Sequence, residues 1–396
     1  MSKLLPFEAA LERLVALADP VPAETVAIAE AGGRWARADV IARGAQPFAD
    51  LSAMDGYAIR FADLPGPWTV IGEAAAGLAL DRPVGPGEAA RIFTGAPVPD
   101  GADTVLIQEE TARDGARLAL AGEGPPHVGR HIRRAGSNFA DGAVLVAAGE
   151  RLSPARIALS VLGGHGRLTV NRRIKAVILS TGDELVPPGE PATGARINAS
   201  NGPMLAAMLA HLPVDIEDRG IVPDDADALR NAFAAAGDAD LLITSGGASV
   251  GDHDLVRPAL EAAGAAIDFW KIAMRPGKPL MAGRMGQTAV VGLPGNPVSA
   301  FVTARLFVEP MVAALAGSAT AGALPFRAGT LGAAMPANGP RTNFIRATMQ
   351  ANRLHPIDNQ DSAALSALAL AEALIVRPPS APPAAPGDSV EFLSIA

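Results

Sequence analysis

Short apolar runs that end in polar, glycine-rich turns recur through the second half of the chain. Between residues 174 and 293 they are IKAVILS (174–180), VDIEDRGIV (214–222), ADLLITS (239–245), AAIDFW (265–270) and TAVVGL (288–293). Runs of this length, rich in Val, Ile and Leu, predict strands buried on both faces, as in a parallel sheet. Helices are predicted after Asn201-Gly202-Pro203, Asp224-Asp225 and Asn296-Pro297, where capping residues or proline mark a start. Strands alternating with helices over 174–316 predict a doubly wound α/β sheet. Such sheets bind ligands outside the carboxyl ends of their strands, where the polar turns fall.

The flanks read differently. Phe7, Leu11, Leu14, Val15 and Ala18 follow Pro6 at helical spacing. From about 36 to 150, runs such as TVLIQ (104–108) and VLVAAG (144–149) alternate with Gly/Pro turns and predict small β-structure. Ser153-Pro154 predicts the cap and first residue of a helix that stops at Gly163-Gly164. Beyond a Gly/Ala/Ser stretch near 316–325, EALIVRP (372–378) and SVEFL (389–393) predict a small β-domain. The expected fold class is α/β multidomain, a central doubly wound parallel sheet with N-terminal mixed α+β and β domains and a C-terminal β-domain. The expected domains are 1–168, discontinuous, with linker helix and strands and a β-domain inserted at about 46–140; 169–316, the α/β domain; and 317–396.

Composition narrows the chemistry. Of 396 residues, 49% are hydrophobic and 19% charged, which is globular rather than disordered. The net charge of −8 argues against a nucleic-acid footprint. With no Cys, disulfides, thiolate catalysis and thiolate metal sites are excluded. The N-terminus MSKLLPFEAALERL has no long apolar core, and no run of about 18 apolar residues occurs, so a soluble, cytoplasmic protein without membrane partners is expected.

Thr244-Ser245-Gly246-Gly247-Ala248-Ser249-Val250-Gly251 follows a strand, and its glycines let backbone N–H groups cradle an anion. It lacks the Lys and Ser/Thr of a phosphate-binding Walker loop. Gly247-x-Ser249-x-Gly251 matches a nucleophile elbow by letter, but Ser249 lies too far past the strand end for that geometry. Thr181-Gly182-Asp183-Glu184 follows another strand, and Glu184 with Asp254 reads as a carboxylate pair for Mg²⁺, which takes one or two carboxylates plus substrate phosphates. Asp224 reads equally as a helix cap. Lys271, Arg275 and Lys278 bracket a loop stiffened by Pro276, Gly277 and Pro279, a pre-positioned cation set for oxyanions. Pro294-Gly295-Asn296-Pro297 is a rigid turn into a helix N-terminus, which attracts anions. Arg130-His131-Ile132-Arg133-Arg134 is a second basic cluster. The six His are scattered without a zinc-site spacing.

SAMDGYA (52–58), TGAPVP (94–99), STGDEL (180–185), TSGGASVG (244–251), RPGKP (275–279) and GLPGNPVS (292–299), in this order, resemble the molybdopterin molybdenumtransferase family, MoeA in bacteria and the gephyrin E domain in animals. The resemblance runs from end to end. It implies an elongated homodimer in molybdenum cofactor biosynthesis that takes adenylylated molybdopterin and molybdate, needs Mg²⁺, inserts the metal into the dithiolene and releases AMP. Other proteins of that biosynthesis are implied as partners. At matched positions it implies that Asp55, Glu184, Asp224 and Asp254 line the site, the acids serving Mg²⁺ or the reacting metal. Lys271, Arg275 and Lys278 would hold molybdate or phosphate oxygens. Gly246, Gly247 and Ser249 would cradle the nucleotide or pterin phosphate, Pro294, Gly295, Asn296 and Pro297 would shape the wall, and Thr94 and Arg133 would add contacts. The SAMDGYA and TGAPVP segments would arrive from the partner subunit. The chain departs from the family pattern at Ser137-Asn138, where Glu-Asp is common, at Ala199, where an acid is common, and at Leu51, where Asn is frequent. These losses keep a second reading open, a non-catalytic molybdopterin-binding scaffold or carrier.

Overall fold

The computed structural model describes residues 4–247 and 255–395. Its centre is a six-stranded sheet in the spatial order Val214–Val222, Ile174–Thr181, Leu241–Ser245, Thr288–Leu293, Met281–Met285, Ala265–Trp270. The first four strands are mutually parallel. Along Ile174–Thr181, successive side chains point to opposite faces. Ile174, Ala176 and Ile178 join one apolar core, and Val177 and Leu179 join another. Helix Ala226–Ala235 contributes Leu229 and Phe233, and helix Val256–Ala262 contributes Val256 and Leu260, to the second core. Leu205 and Leu209 of helix Asn201–Leu209 enter the first. Helices therefore cover both faces, as the pattern predicted.

One element differs. Met281–Met285, a strand the pattern did not predict, runs antiparallel to both of its neighbours, Thr288–Leu293 and Ala265–Trp270, so Ala265–Trp270 keeps the direction of the first four strands. The cause is local. Gly286 and Gln287 alone join Met281–Met285 to Thr288–Leu293, and Gly286 sits at φ +59°, the first-position glycine that two-residue hairpins favour. A hairpin cannot supply a crossover helix, so Met281–Met285 alone reverses direction.

The helical segment Pro297–Leu315, with a π-turn at Ala304–Val308, runs through the first core. It is long and apolar enough to cross a membrane, yet 78% of it is buried within the fold, which makes it a core helix. Near the N-terminus the chain runs outward and returns. Ala23–Ala27 pairs with Arg167–Asn171, Val40–Ile41 with Val144–Val146, and Leu51–Ser52 with Ile132–Arg133. Between the last pair lies a six-stranded sheet spanning Gly56–Ile59 to Arg117–Leu120, with its own small cores. The C-terminal strands close into a barrel, because Thr342–Gln350 pairs with both Arg353–Pro356 and Ala373–Arg377. Met274–Arg275 of the central domain adds to that strand.

Helix Phe7–Ala16 joins these parts. Its Phe7 ring meets Phe307 of the core helix edge-on at 5.6 Å and Phe344 of the barrel at 5.1 Å. Such pairs add to simple area burial. Phe7→Ala therefore costs about 3–5 kcal/mol and lowers the melting midpoint; an unchanged midpoint in a thermal melt would refute this bridging role.

Candidate active site at the strand ends

Parallel register sets the site. Ser180 pairs with Ser245, Ser245 with Leu293, and Thr181 with Val222, so four strands finish level. Their turns surround a cavity of about 660 Å³, a size suited to a cofactor-sized ligand. Its wall includes Thr181, Glu184, Asn201, Asp224, the Gly246-Gly247 turn and Pro294 to Pro297. Ala363 and Leu365 of the C-terminal domain complete it. They are carried by a loop fastened to buried Arg346, whose guanidinium donates to the Asn359, Asp361 and Ala364 carbonyls.

The glycines are required by close approach. A Cβ at Gly246 (φ +104°) would stand 2.2 Å from the Thr181 carbonyl oxygen. One at Gly247 (φ +59°) would stand 2.1 Å from Val256 Cγ2. One at Gly182 (φ +149°) would stand 2.5 Å from Glu184 Oε2, because the Glu184 carboxylate folds back over that backbone. Main chain is thus presented bare along the cavity wall.

The helix after Asp224-Asp225 is capped by Asp225, whose Oδ1 accepts from Ala228 N–H at 2.8 Å. Asp224 is therefore not the cap. Its own N–H donates to Asp183 Oδ1 at 3.1 Å. Desolvation, then the charges of Asp183 and Glu184, push its carboxyl above the usual range. Among the described residues no group of three acids or His is arranged to hold a metal alone. Ser249 and Asp254 lie outside the described residues.

Sequence reasoning missed Asn201, read only as part of a helix start. Its Nδ2 donates to Ser245 Oγ at 2.8 Å and to the Gly295 carbonyl at 2.7 Å. No periodicity marks a side chain that reaches across two turns; the run Ser200-Asn201-Gly202-Pro203 was the only signal.

Other expected residues lie elsewhere. Lys271, Arg275 and Lys278 are not in the cavity wall, although Pro279, next to Lys278, is. Their loop is closed by Ile272 N–H to the Lys278 carbonyl at 2.9 Å and held to the barrel by the Arg275–Asn343 pairing. Asp55, Thr94 and Arg133 belong to the inserted region and do not line the cavity of their own chain. Asp55 Oδ1 accepts from both the N–H and the hydroxyl of Thr94 at 2.8 Å, and these bonds hold its carboxyl below the ordinary range. Arg91 stacks between Tyr57 and Phe93 beside them. Arg133 sits on a two-residue strand paired with Leu51-Ser52.

Family models match almost the whole chain: the MoeA N-terminal region (domain I and II) at 5–164, the probable molybdopterin binding domain at 177–314 and the MoeA C-terminal region (domain IV) at 328–395. A molybdopterin molybdenumtransferase of Haemophilus influenzae is 38% identical over 302 residues, 75% of this chain and 74% of that protein. One from Staphylococcus aureus is 30% identical over 389 residues, 94% and 91% of the two chains. The crystal structure of a molybdopterin biosynthesis MoeA protein from Pyrococcus horikoshii superimposes with a TM-score of 0.84 at 26% identity, over 98% of this chain and 99% of that one. Six motifs in order, the strand-end cavity and these matches agree: this chain belongs to the molybdopterin molybdenumtransferase family of molybdenum cofactor biosynthesis.

Proposed function

We propose that the strand-end cavity takes adenylylated molybdopterin and molybdate, inserts the metal into the dithiolene and releases AMP. The observation that carries this reading is a cavity of about 660 Å³ with bare glycine backbone on one wall and Glu184 and Asp224 on another. Bare N–H groups at strand ends receive phosphate and ring carbonyl oxygens. Asp224, whose proton affinity is raised by burial and then by the charges of Asp183 and Glu184, favours a hard divalent cation shared with substrate phosphates, which fits Mg²⁺. Mg²⁺ would neutralise charge on those phosphates, held by Glu184 with Asp254, and Asp224 would keep its ligand shell negative. Lys271, Arg275 and Lys278 would draw the oxyanions to the Pro279 edge, Gly246, Gly247 and Ser249 would receive the phosphate, and Pro294 to Pro297 would bound the ring.

Asp55, Thr94 and Arg133 fit this reading through a homodimer in which the inserted region of one copy faces the cavity of the other. Thr94 keeps Asp55 ionised, which suits a residue delivered to a neighbouring site.

Three outcomes follow. Glu184→Gln lowers molybdate-dependent AMP release by about a hundredfold or more while circular dichroism stays native; unchanged turnover would remove Glu184 from the mechanism. Stripping divalent cations with a chelator stops AMP release, and added Mg²⁺ restores it; full turnover without divalent metal would sink the Mg²⁺ assignment. For Asp224 the folded-state carboxyl binds its proton more tightly than the unfolded one. The wild type is therefore destabilised as pH rises from the ordinary carboxylate range through the raised folded value. Asp224→Asn then melts higher than wild type at pH 7, and the difference vanishes in acid where both forms are neutral. A gain that persists in acid would mean that the carboxylate charge is not its source.

A further inference from the structure

We propose that Asn201 is a positioning residue of this site, whose amide sets the separation of the Gly246-Gly247 turn and the Pro294–Pro297 turn. The two turns leave neighbouring parallel strands at the register pair Ser245–Leu293. Between them the main chain supplies one long bond, Gly246 N–H to the Leu293 carbonyl at 3.2 Å. Asn201 adds two shorter ones, to Ser245 Oγ at 2.8 Å and to the Gly295 carbonyl at 2.7 Å. A carbonyl oxygen only accepts, so Gly295 fixes which end of the amide faces the turns.

The arrangement carries a cost. Among the described residues Asn201 Oδ1 is buried with no hydrogen-bond partner, and a buried acceptor in that state loses its hydration without return. Thr181 Oγ1 and Thr244 Oγ1, at the same strand ends, share this condition. Among the described residues six side-chain atoms are so placed, and half gather here. Unsatisfied groups that cluster at a ligand cavity point to geometry kept for the site rather than for stability. On its far side the proline turn is held by Asn296 Nδ2 to Ser362 Oγ at 3.0 Å and Val298 N–H to the Ser362 carbonyl at 3.1 Å. The turn is thus gripped from both sides, and Asn201 is the grip from within the central domain. Asn201→Asp keeps the shape and removes the donor, placing a carboxylate against the Gly295 carbonyl.

The kinetic arm of the test rests on the transferase reading; the exchange arm does not. Hydrogen exchange across residues 241–247 and steady-state AMP release are measured for the parent, Asn201→Asp, Asn201→Ala and Ser245→Ala, which removes one bond without touching Asn201. In Asn201→Asp and Asn201→Ala the Gly246 amide exchanges about tenfold faster while Leu241 to Thr244 stay protected. KM rises about tenfold, with kcat within about threefold, the scale of two lost hydrogen bonds. Ser245→Ala shifts both in the same direction by less. Parent-like exchange in Asn201→Asp overturns the brace. Faster exchange with parental KM overturns its role in positioning substrate. A parent that releases no AMP defeats the transferase reading alone, and the exchange result then decides the brace by itself.

Discussion

Everything at the site depends on parallel pairing in register. Because Ser180, Ser245 and Leu293 stand opposite one another, three polar turns begin at one level and must share one small volume. Antiparallel neighbours would alternate their ends and disperse the same turns to opposite edges of the sheet. The loop between Ala265–Trp270 and the reversed strand Met281–Met285, which carries Lys271, Arg275 and Lys278, leaves the sheet at the same edge, because Trp270 pairs with Met281 and Met281 with Gly292. That loop is then tied to the barrel through Arg275 and Asn343 rather than to the other turns. Carboxylates and bare backbone thus belong to the turns of the four adjacent parallel strands, and the cations to the loop that leads into the one reversed strand.

Crowding at the strand ends explains the residue types found there. Thr181, Gly246 and Gly295 approach backbone to backbone, and a side chain at Gly246 would collide with the Thr181 carbonyl. Like charges are crowded as well. Asp183, Glu184 and Asp224 share one rim, and the raised proton affinity of Asp224 records its burial first and that crowding second. Strain of this kind persists where the surrounding structure over-determines it, here through two apolar cores on the two faces of the sheet.

The strands and most helix starts were legible because burial on both faces writes continuous apolar runs, and because Ser153, Asp225 and Pro297 are capping signals with a local cause. The strand Met281–Met285 and its reversed direction were not legible. An apolar run carries no sign of orientation, and the deciding signal was Gly286-Gln287, a turn too short for a crossover. Of the site, the glycine turns, Glu184 and the proline turn were visible as strand-end punctuation. Asp224 was ambiguous because capping and catalysis ask for the same residue, and only the bond from Ala228 to Asp225 separates them. Asn201 stayed hidden because its partners lie 44 and 94 residues away. The place of Asp55 and Thr94 is not written in one chain's local pattern at all, since they sit in a separate β-structure with their own partners.

The departures from the family pattern can be weighed by where they fall. Ala199 lines the cavity and is buried. A carboxylate there would be desolvated beside a rim that already holds Glu184 and Asp224, and a buried charge without a partner is costly. Alanine relieves that load and leaves the cavity less negative than an acid there would make it. Asn138 is a different case. Its N–H donates to the Gln46 carbonyl at 2.9 Å in the stem that leads to the inserted region, and it is not in the cavity wall. The two changes therefore act on different terms, one on the charge of the cavity itself and one on the region that carries Asp55. Neither touches Glu184, Asp224 or the glycine turns, the groups whose geometry the register of the sheet enforces.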